Sequence, residues 1–241
     1  MAGNHRGLVA TVVTGVLAVS GVIVIAVFLT QQQHPRQPPL SASASPSPTT
    51  ATGGAPTSRG PTPTSGPPGT PAATPGVIGP VLPASAPLSI AIPAIGVQSP
   101  LLRLGLTAQG ALEVPAPGPD YNKAAWYRYS PTPGALGPAV IVGHVDSASQ
   151  GPSVFYRLGS LSPGDKVWIR RADGSVAVFA VDEVRRYHKA YFPSQLVYGN
   201  TNHAALRLIS CGGPFDPKTG HYLDNIIVLA SLIRAGGSPP G

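Results

Sequence analysis

Leu206-Arg207-Leu208-Ile209-Ser210-Cys211-Gly212-Gly213 runs into Pro214-Phe215-Asp216-Pro217-Lys218-Thr219-Gly220 and then His221-Tyr222-Leu223-Asp224-Asn225-Ile226-Ile227-Val228-Leu229-Ala230. Two apolar, β-branched runs flank a Pro/Asp/Gly-rich connection, the sequence form of two strands joined by a loop. The only cysteine stands where the first strand ends. Gly212 and Gly213 follow it, and glycines at a strand end let other backbone approach closely. A thiol so placed is within reach of a substrate; the other reading of a lone cysteine is a small buried hydrophobe.

The chain has 241 residues, and its 30 prolines and 29 glycines are concentrated in some segments and sparse in others. Sixteen basic residues against nine acidic ones give a formal charge of +7, and no acidic residue precedes Glu113. The excess is modest and unclustered, which argues against nucleic-acid binding and suits a surface facing anionic lipid or wall polymer.

Residues 1–7 form a short polar end. The run from Leu8 to Leu29 is almost uninterruptedly apolar. As a helix it reaches roughly 33 Å, enough to cross a bilayer core. It is longer than a signal-peptide core and no small-x-small site follows closely, so it reads as an uncleaved anchor. The slight charge bias puts the amino end in the cytoplasm and the rest outside. Residues 30–86 are Pro, Ser, Thr, Ala and Gly, too poor in apolar side chains to repay the entropy of folding. They read as a disordered tether spanning on the order of 40 Å as a coil.

A domain is expected over residues 87–234, followed by a polar tail at 235–241. Leu88-Ser89-Ile90-Ala91-Ile92-Pro93 alternates as a strand does. Further strands are expected at 111–114, 126–129, 139–145, 166–170, 176–184, 205–210 and 226–232. Short helices are expected at 154–161 and 193–198. Many short strands with Gly/Pro turns indicate a mainly β barrel or sandwich.

One cysteine outside the membrane forms no internal disulfide, so it is intermolecular, inert or reactive. A reactive thiol needs a base or cation to form thiolate. His5 and His34 flank the apolar span; His188, His203 and His221 lie in polar segments and read as surface residues. His144 differs, because the apolar run Ala139-Val140-Ile141-Val142-Gly143 delivers it to a sheet edge. No Cys-x-x-Cys or His-Glu-x-x-His spacing supports a metal, and no phosphate-cradling loop supports a nucleotide cofactor. Histidine before cysteine in chain order differs from papain-like hydrolases. Ser210 stands where L,D-transpeptidases carry glycine.

Ile141-Val142-Gly143-His144-Val145-Asp146-Ser147, followed by Leu206-Arg207-Leu208-Ile209-Ser210-Cys211, resembles the sortase family. The actinobacterial class F group matches best, with class E next. Ile90-Ala91-Ile92-Pro93-Ala94-Ile95-Gly96-Val97 and the segment from Cys211 to Asn225 fit the same pattern, so the similarity spans the whole domain in order. The resemblance implies an eight-stranded β-barrel with short helices. It also implies a membrane-anchored, outward-facing cysteine transpeptidase of a Gram-positive cell surface. Such enzymes cut Leu-Pro-x-Thr-Gly-like C-terminal sorting signals of surface proteins after Thr. They pass the acyl group from a thioester to an amine on peptidoglycan or a pilin.

By the same resemblance Cys211 is the nucleophile and His144 the acid/base, with Ser210, in place of the usual threonine, and Gly212 beside the substrate. The family's catalytic arginine has no direct counterpart. Aligning the Lys218-Thr219-Gly220 turn puts Asn225 at its place, and Leu223 stands where relatives in this group often carry arginine. Arg207, four residues before Cys211 and so on the same strand face, is the alternative source of charge. Hydrolysis of the same signals, or an inactive anchored peptide-binding module, are the competing functions.

Overall fold

The computed structural model describes residues 37–40 and 76–237. The apolar run at 8–29 lies outside the described residues; among the described residues no helix is long and apolar enough to cross a membrane.

Eight strands close into a barrel in the order β1-β2-β3-β4-β9-β10-β8-β7. In chain order they are β1 (Pro87–Ile92), β2 (Val97–Leu104), β3 (Ala124–Tyr127) and β4 (Gly137–Val142), then, after a two-stranded ribbon, β7 (Lys166–Arg171), β8 (Val176–His188), β9 (Ala204–Asp216) and β10 (His221–Ala235). The ribbon pairs β5 (Asp146–Ser147) with β6 (Gly151–Pro152). One short α-helix, α1 (Ser194–Tyr198), sits in the β8–β9 connection. The expected helix at 154–161 is a single 3₁₀ turn at Leu158–Ser160.

One strand joins those expected and one expected strand is absent. Residues 97–104 form a strand although Pro100 interrupts the pattern. The proline sits opposite Ser89 in β1, and on its other side β2 meets only the four-residue β3, so few ladder bonds depend on it. Residues 111–114 form no strand; Leu112 makes one isolated bridge to Leu106.

Strand alternation divides the apolar residues between two clusters. Ile141, Leu206, Leu208, Ile226 and Val228 point into the barrel with Phe155, Phe179 and Trp126. Val140, Val142, Ile209, Ile227 and Leu229 point outward and are covered by Tyr187, Val197 and the partly buried Leu112, Tyr127, Phe192 and Leu196. β4 and β9 therefore read as continuous apolar runs because both of their faces are buried. They are also the central parallel pair, in register from Gly137↔Ala204 to Val142↔Ile209.

The ordered region begins before Pro87. Residues 76–86, assigned by composition to the tether, are held on the barrel. The Ile78 N–H donates to Asn202 O and the Leu82 N–H to Gly134 O, both at 2.8 Å. Arg171, 1% exposed, donates to the Pro83 carbonyl and, at 3.1 Å, to Ser175 Oγ. A buried guanidinium needs acceptors, and this stretch supplies one with its backbone, which composition does not record. The tether residues Gln37 and Leu40 also touch the barrel: Gln37 Oε1 accepts from the Gly213 N–H at 3.0 Å, and Leu40 bridges Arg186 in β8.

Candidate active site

The parallel register of β4 and β9 builds the site. His144 stands two residues past Val142, and Cys211 stands two residues past its rung partner Ile209. Adjacent strands lie about 4.8 Å apart, so equal offsets from one rung bring the two residues to the same edge. Both line one cleft of about 800 Å³ on the outer face. Cys211 is partly exposed, whereas Ala204 to Ser210 before it are all buried.

The backbone around both residues is tightly fitted. A Cβ on Gly143 would lie 2.6 Å from Val154 Cγ1 and 2.7 Å from Phe155, so only glycine lets His144 leave the sheet over that packing. Gly213 has φ +74°, and a Cβ there would collide with the Asp224 carboxylate. Asp224 is buried and pairs with Arg186 at 3.4 Å.

The imidazole is held in one orientation. His144 Nε2 lies 2.8 Å from Pro115 O. A carbonyl only accepts, so Nε2 carries the proton and Nδ1 of the neutral ring is left to take one. Tyr121 stacks on the imidazole with centroids 4.3 Å apart and planes 8° from parallel. Tyr121 donates its hydroxyl to Asp146 O at 2.5 Å, and Tyr222 donates to Asp146 Oδ2 at 2.7 Å. Burial raises the Tyr121 pKa. Burial, then the hydrogen bond and charge of Asp146, raise that of Tyr222. Both phenols stay protonated beside the cleft at neutral pH.

Asn225 lies directly across from Cys211 on β10 and lines the cleft. Ser210 also borders the cleft, but alternation turns its side chain inward; its Oγ is buried and has no hydrogen-bond partner among the described residues. Gly212 packs against Ile226 and Gln37, where a Cβ would meet each at 2.7 Å.

Arg207 is not brought to the cleft. It shares the outward face of Cys211, as strand period requires, but four residues along a strand is roughly 13 Å. There α1 covers it: Nε donates to Leu196 O at 3.1 Å and Nη1 to Leu206 O at 3.2 Å, with 6% of the residue exposed. Burial lowers its pKa. The bond to Leu196 O ties Arg207 to the β8–β9 connection, whose Phe192 and Tyr198 wall the cleft. Leu223 falls in the β10 irregularity between Tyr222 and Asp224.

Several cleft residues carry no sequence signal of their own: Tyr121, Lys189, Phe192, Tyr198 and Tyr222. His221, read as a surface residue, is exposed and also borders the cleft. Tyr222 is three residues before Asn225, so plain strand period would turn it to the opposite face; the irregular register between Tyr222 and Asp224 lets both line the cleft. Among the described residues no group of three or more His, Cys, Asp or Glu side chains is arranged to hold a metal ion.

No curated protein matches the chain directly. Among solved structures, sortase A of Listeria monocytogenes is 18% identical over 64% of this chain and 90% of that one, with TM-score 0.45. Sortase A of Corynebacterium diphtheriae is 20% identical over 66% of this chain and 64% of that one, with TM-score 0.46. The pilus-related sortase C of Group B Streptococcus is 17% identical over 64% and 69%, with TM-score 0.46. The family model of the sortase domain matches residues 90–233, from within β1 to within β10 and across both His144 and Cys211, and the chain belongs to the sortase family.

Proposed function

We propose that the protein is a membrane-anchored sortase of the class F type. It cleaves Leu-Pro-x-Thr-Gly-like signals of surface proteins and transfers them to a cell-wall or pilin amine. Membership of the family carries cysteine transpeptidase chemistry. The observation that supports this reading most is the delivery of Cys211 and His144 by two in-register parallel strands to one apolar-walled cleft.

In this reading Nδ1 of His144 takes the thiol proton, and the sulfur attacks the scissile carbonyl carbon. The C–N bond then breaks, His144 returns the proton to the departing amine, and an acyl-thioester remains. An incoming amine attacks that carbonyl, gives a proton to His144, and the C–S bond breaks; the sulfur leaves as thiolate and is reprotonated. The oxyanion formed in each step needs a donor. Asn225, opposite the sulfur, supplies it, whereas Arg207 holds the cleft wall. The run at 8–29 anchors the chain with its amino end in the cytoplasm, the catalytic domain outside and residues 41–75 between.

Incubating the purified chain with a sorting-signal peptide and a glycine-based amine tests this. The expected products are the cleaved leaving peptide and the amine-linked acyl peptide, both absent with Cys211→Ala. Cleavage without amine linkage would make the protein a hydrolase of the same signals. Binding without cleavage would make it a binding module, the reading favoured by the missing strand arginine.

A further inference from the structure

A second cleft of about 490 Å³ opens beside the catalytic one and shares Leu112 and Tyr198 with it. Its lining includes Tyr127, Tyr129, Pro131 and Pro138. Aromatic rings link the two clefts in a row. Phe192 and Tyr198, in the catalytic cleft, have centroids 6.0 Å apart. Tyr198 meets Tyr127 at 6.4 Å and 70°, and Tyr127 meets Tyr129 at 5.7 Å and 79°.

Tyr129 is the unusual member. It is 63% exposed, yet it is held in place. The Arg128 guanidinium lies 4.9 Å from its ring centroid and donates to its hydroxyl at 2.9 Å. An exposed aromatic ring fixed by a neighbouring cation contributes little to the core. It is instead a preformed flat surface that a ligand can use without ordering it first.

We infer that this tyrosine-walled cleft is an extension of the substrate groove. Its occupant is the stretch of polypeptide preceding the cleaved motif, bound extended and favouring proline and small uncharged residues. Three ring steps would span about 18 Å if collinear, the length of about six residues of polyproline II. Grooves walled by aromatic rings and proline take that conformation because it is rigid before binding and stacks its rings flat.

The chemistry assigns the acyl side, and in this the inference rests on the proposed transpeptidation. The acyl half stays covalently bound while one amine leaves and another enters. A long complementary groove on the amine side would slow that exchange. On the acyl side it strengthens binding of the donor without holding back the leaving fragment.

The test uses the full chain and three peptides: the bare motif, the motif with six alternating Ala-Pro residues added before it, and the motif with the same residues added after it. The leading extension is expected to raise kcat/KM about five- to tenfold, through KM. In Tyr129→Ala that ratio of extended to bare peptide falls to about one, and in Tyr129→Phe, which keeps the ring, it is retained. Equal kcat/KM for bare and extended peptides, a gain that survives Tyr129→Ala, or a gain only from the trailing extension overturns the inference.

Cleavage of the bare motif without any effect of extension leaves the transpeptidase reading standing. If no peptide is cleaved, that reading fails by itself. The inference is then judged on Kd values for the Cys211→Ala chain with and without Tyr129→Ala. Tighter binding of the leading-extension peptide that depends on Tyr129 supports it; equal Kd values overturn it. A response of the Tyr129 ring to a wall-saccharide fragment or to self-association, with none to the extended peptide, also overturns it.

Discussion

The two halves of β9 are built to different rules. From Ala204 to Ser210 every residue is buried, with alternate side chains feeding the barrel interior and the outer cluster. From Cys211 to Asp216 the strand is mostly half-exposed or exposed and carries the free thiol that lines the cleft and a glycine at positive φ. The first half is packed on both faces, whereas the second opens onto the cleft. The boundary falls near where the parallel partner β4 ends at Val142, whose rung partner Ile209 is two residues before Cys211. A strand that loses one neighbour can turn its next residues toward a substrate while the residues behind them stay fixed.

The largest effect that would break this division is at its boundary. Cys211→Ala is expected to abolish acyl-enzyme formation and turnover while barely moving the melting temperature; a large drop in melting temperature would place Cys211 with the structural half. Next, Asn225→Ala is expected to lower kcat roughly a hundred- to a thousandfold, the usual cost of an oxyanion donor. Arg207→Ala should lower stability far more than the kcat of the folded protein. Should the two variants exchange phenotypes in paired kinetic and melting measurements, the oxyanion assignment is wrong.

Leu208→Ala probes the buried half. Leu208 has no exposure, and truncating such a side chain costs about 2–5 kcal/mol. Denaturant unfolding should show that loss, and alkylation of Cys211 in the remaining folded protein should be unchanged.

A smaller effect tests the barrel's start. A chain beginning at residue 76 gives up only the Gln37 and Leu40 contacts and should melt close to the full external part, whereas one beginning at Pro87 also leaves Arg171 without the Pro83 carbonyl. A hydrogen bond to a charged group contributes about 1.5–3 kcal/mol. Equal melting temperatures would mean that residues 76–86 hold nothing.

The smallest is an alkaline effect of Tyr222. Its pKa is raised in the folded state, chiefly by burial and then by Asp146. The sign follows from linkage. The stabilisation is full below the unfolded tyrosine value of about 10 and is lost as pH rises through the folded value. Tyr222→Phe should therefore flatten the fall in melting temperature above about pH 10. A fall as steep as in the unsubstituted chain would remove Tyr222 from that account.

The chain's own residues determine much of this protein. Alternation at Leu88-Ser89-Ile90-Ala91-Ile92 and the two-sided apolar runs of β4 and β9 specify strands, because burial on one or both faces writes directly into the residue pattern. The His144 and Cys211 motifs were legible because each sits at the end of such a run. Contacts between distant segments were not. Pro100 hides β2, whose partners lie on either side in space. The place of Arg207 depended on whether α1 covers that part of the face, and Tyr121 and Tyr222 meet Asp146 only once the barrel closes. The order of Gly/Pro-rich residues 76–86 rests on backbone carbonyls and N–H groups, which every residue but proline carries in full and which no side-chain pattern reports. Local period and burial are properties of a short window of sequence; covering, stacking and hydrogen bonding across the barrel are decided by which windows the closed sheet brings together.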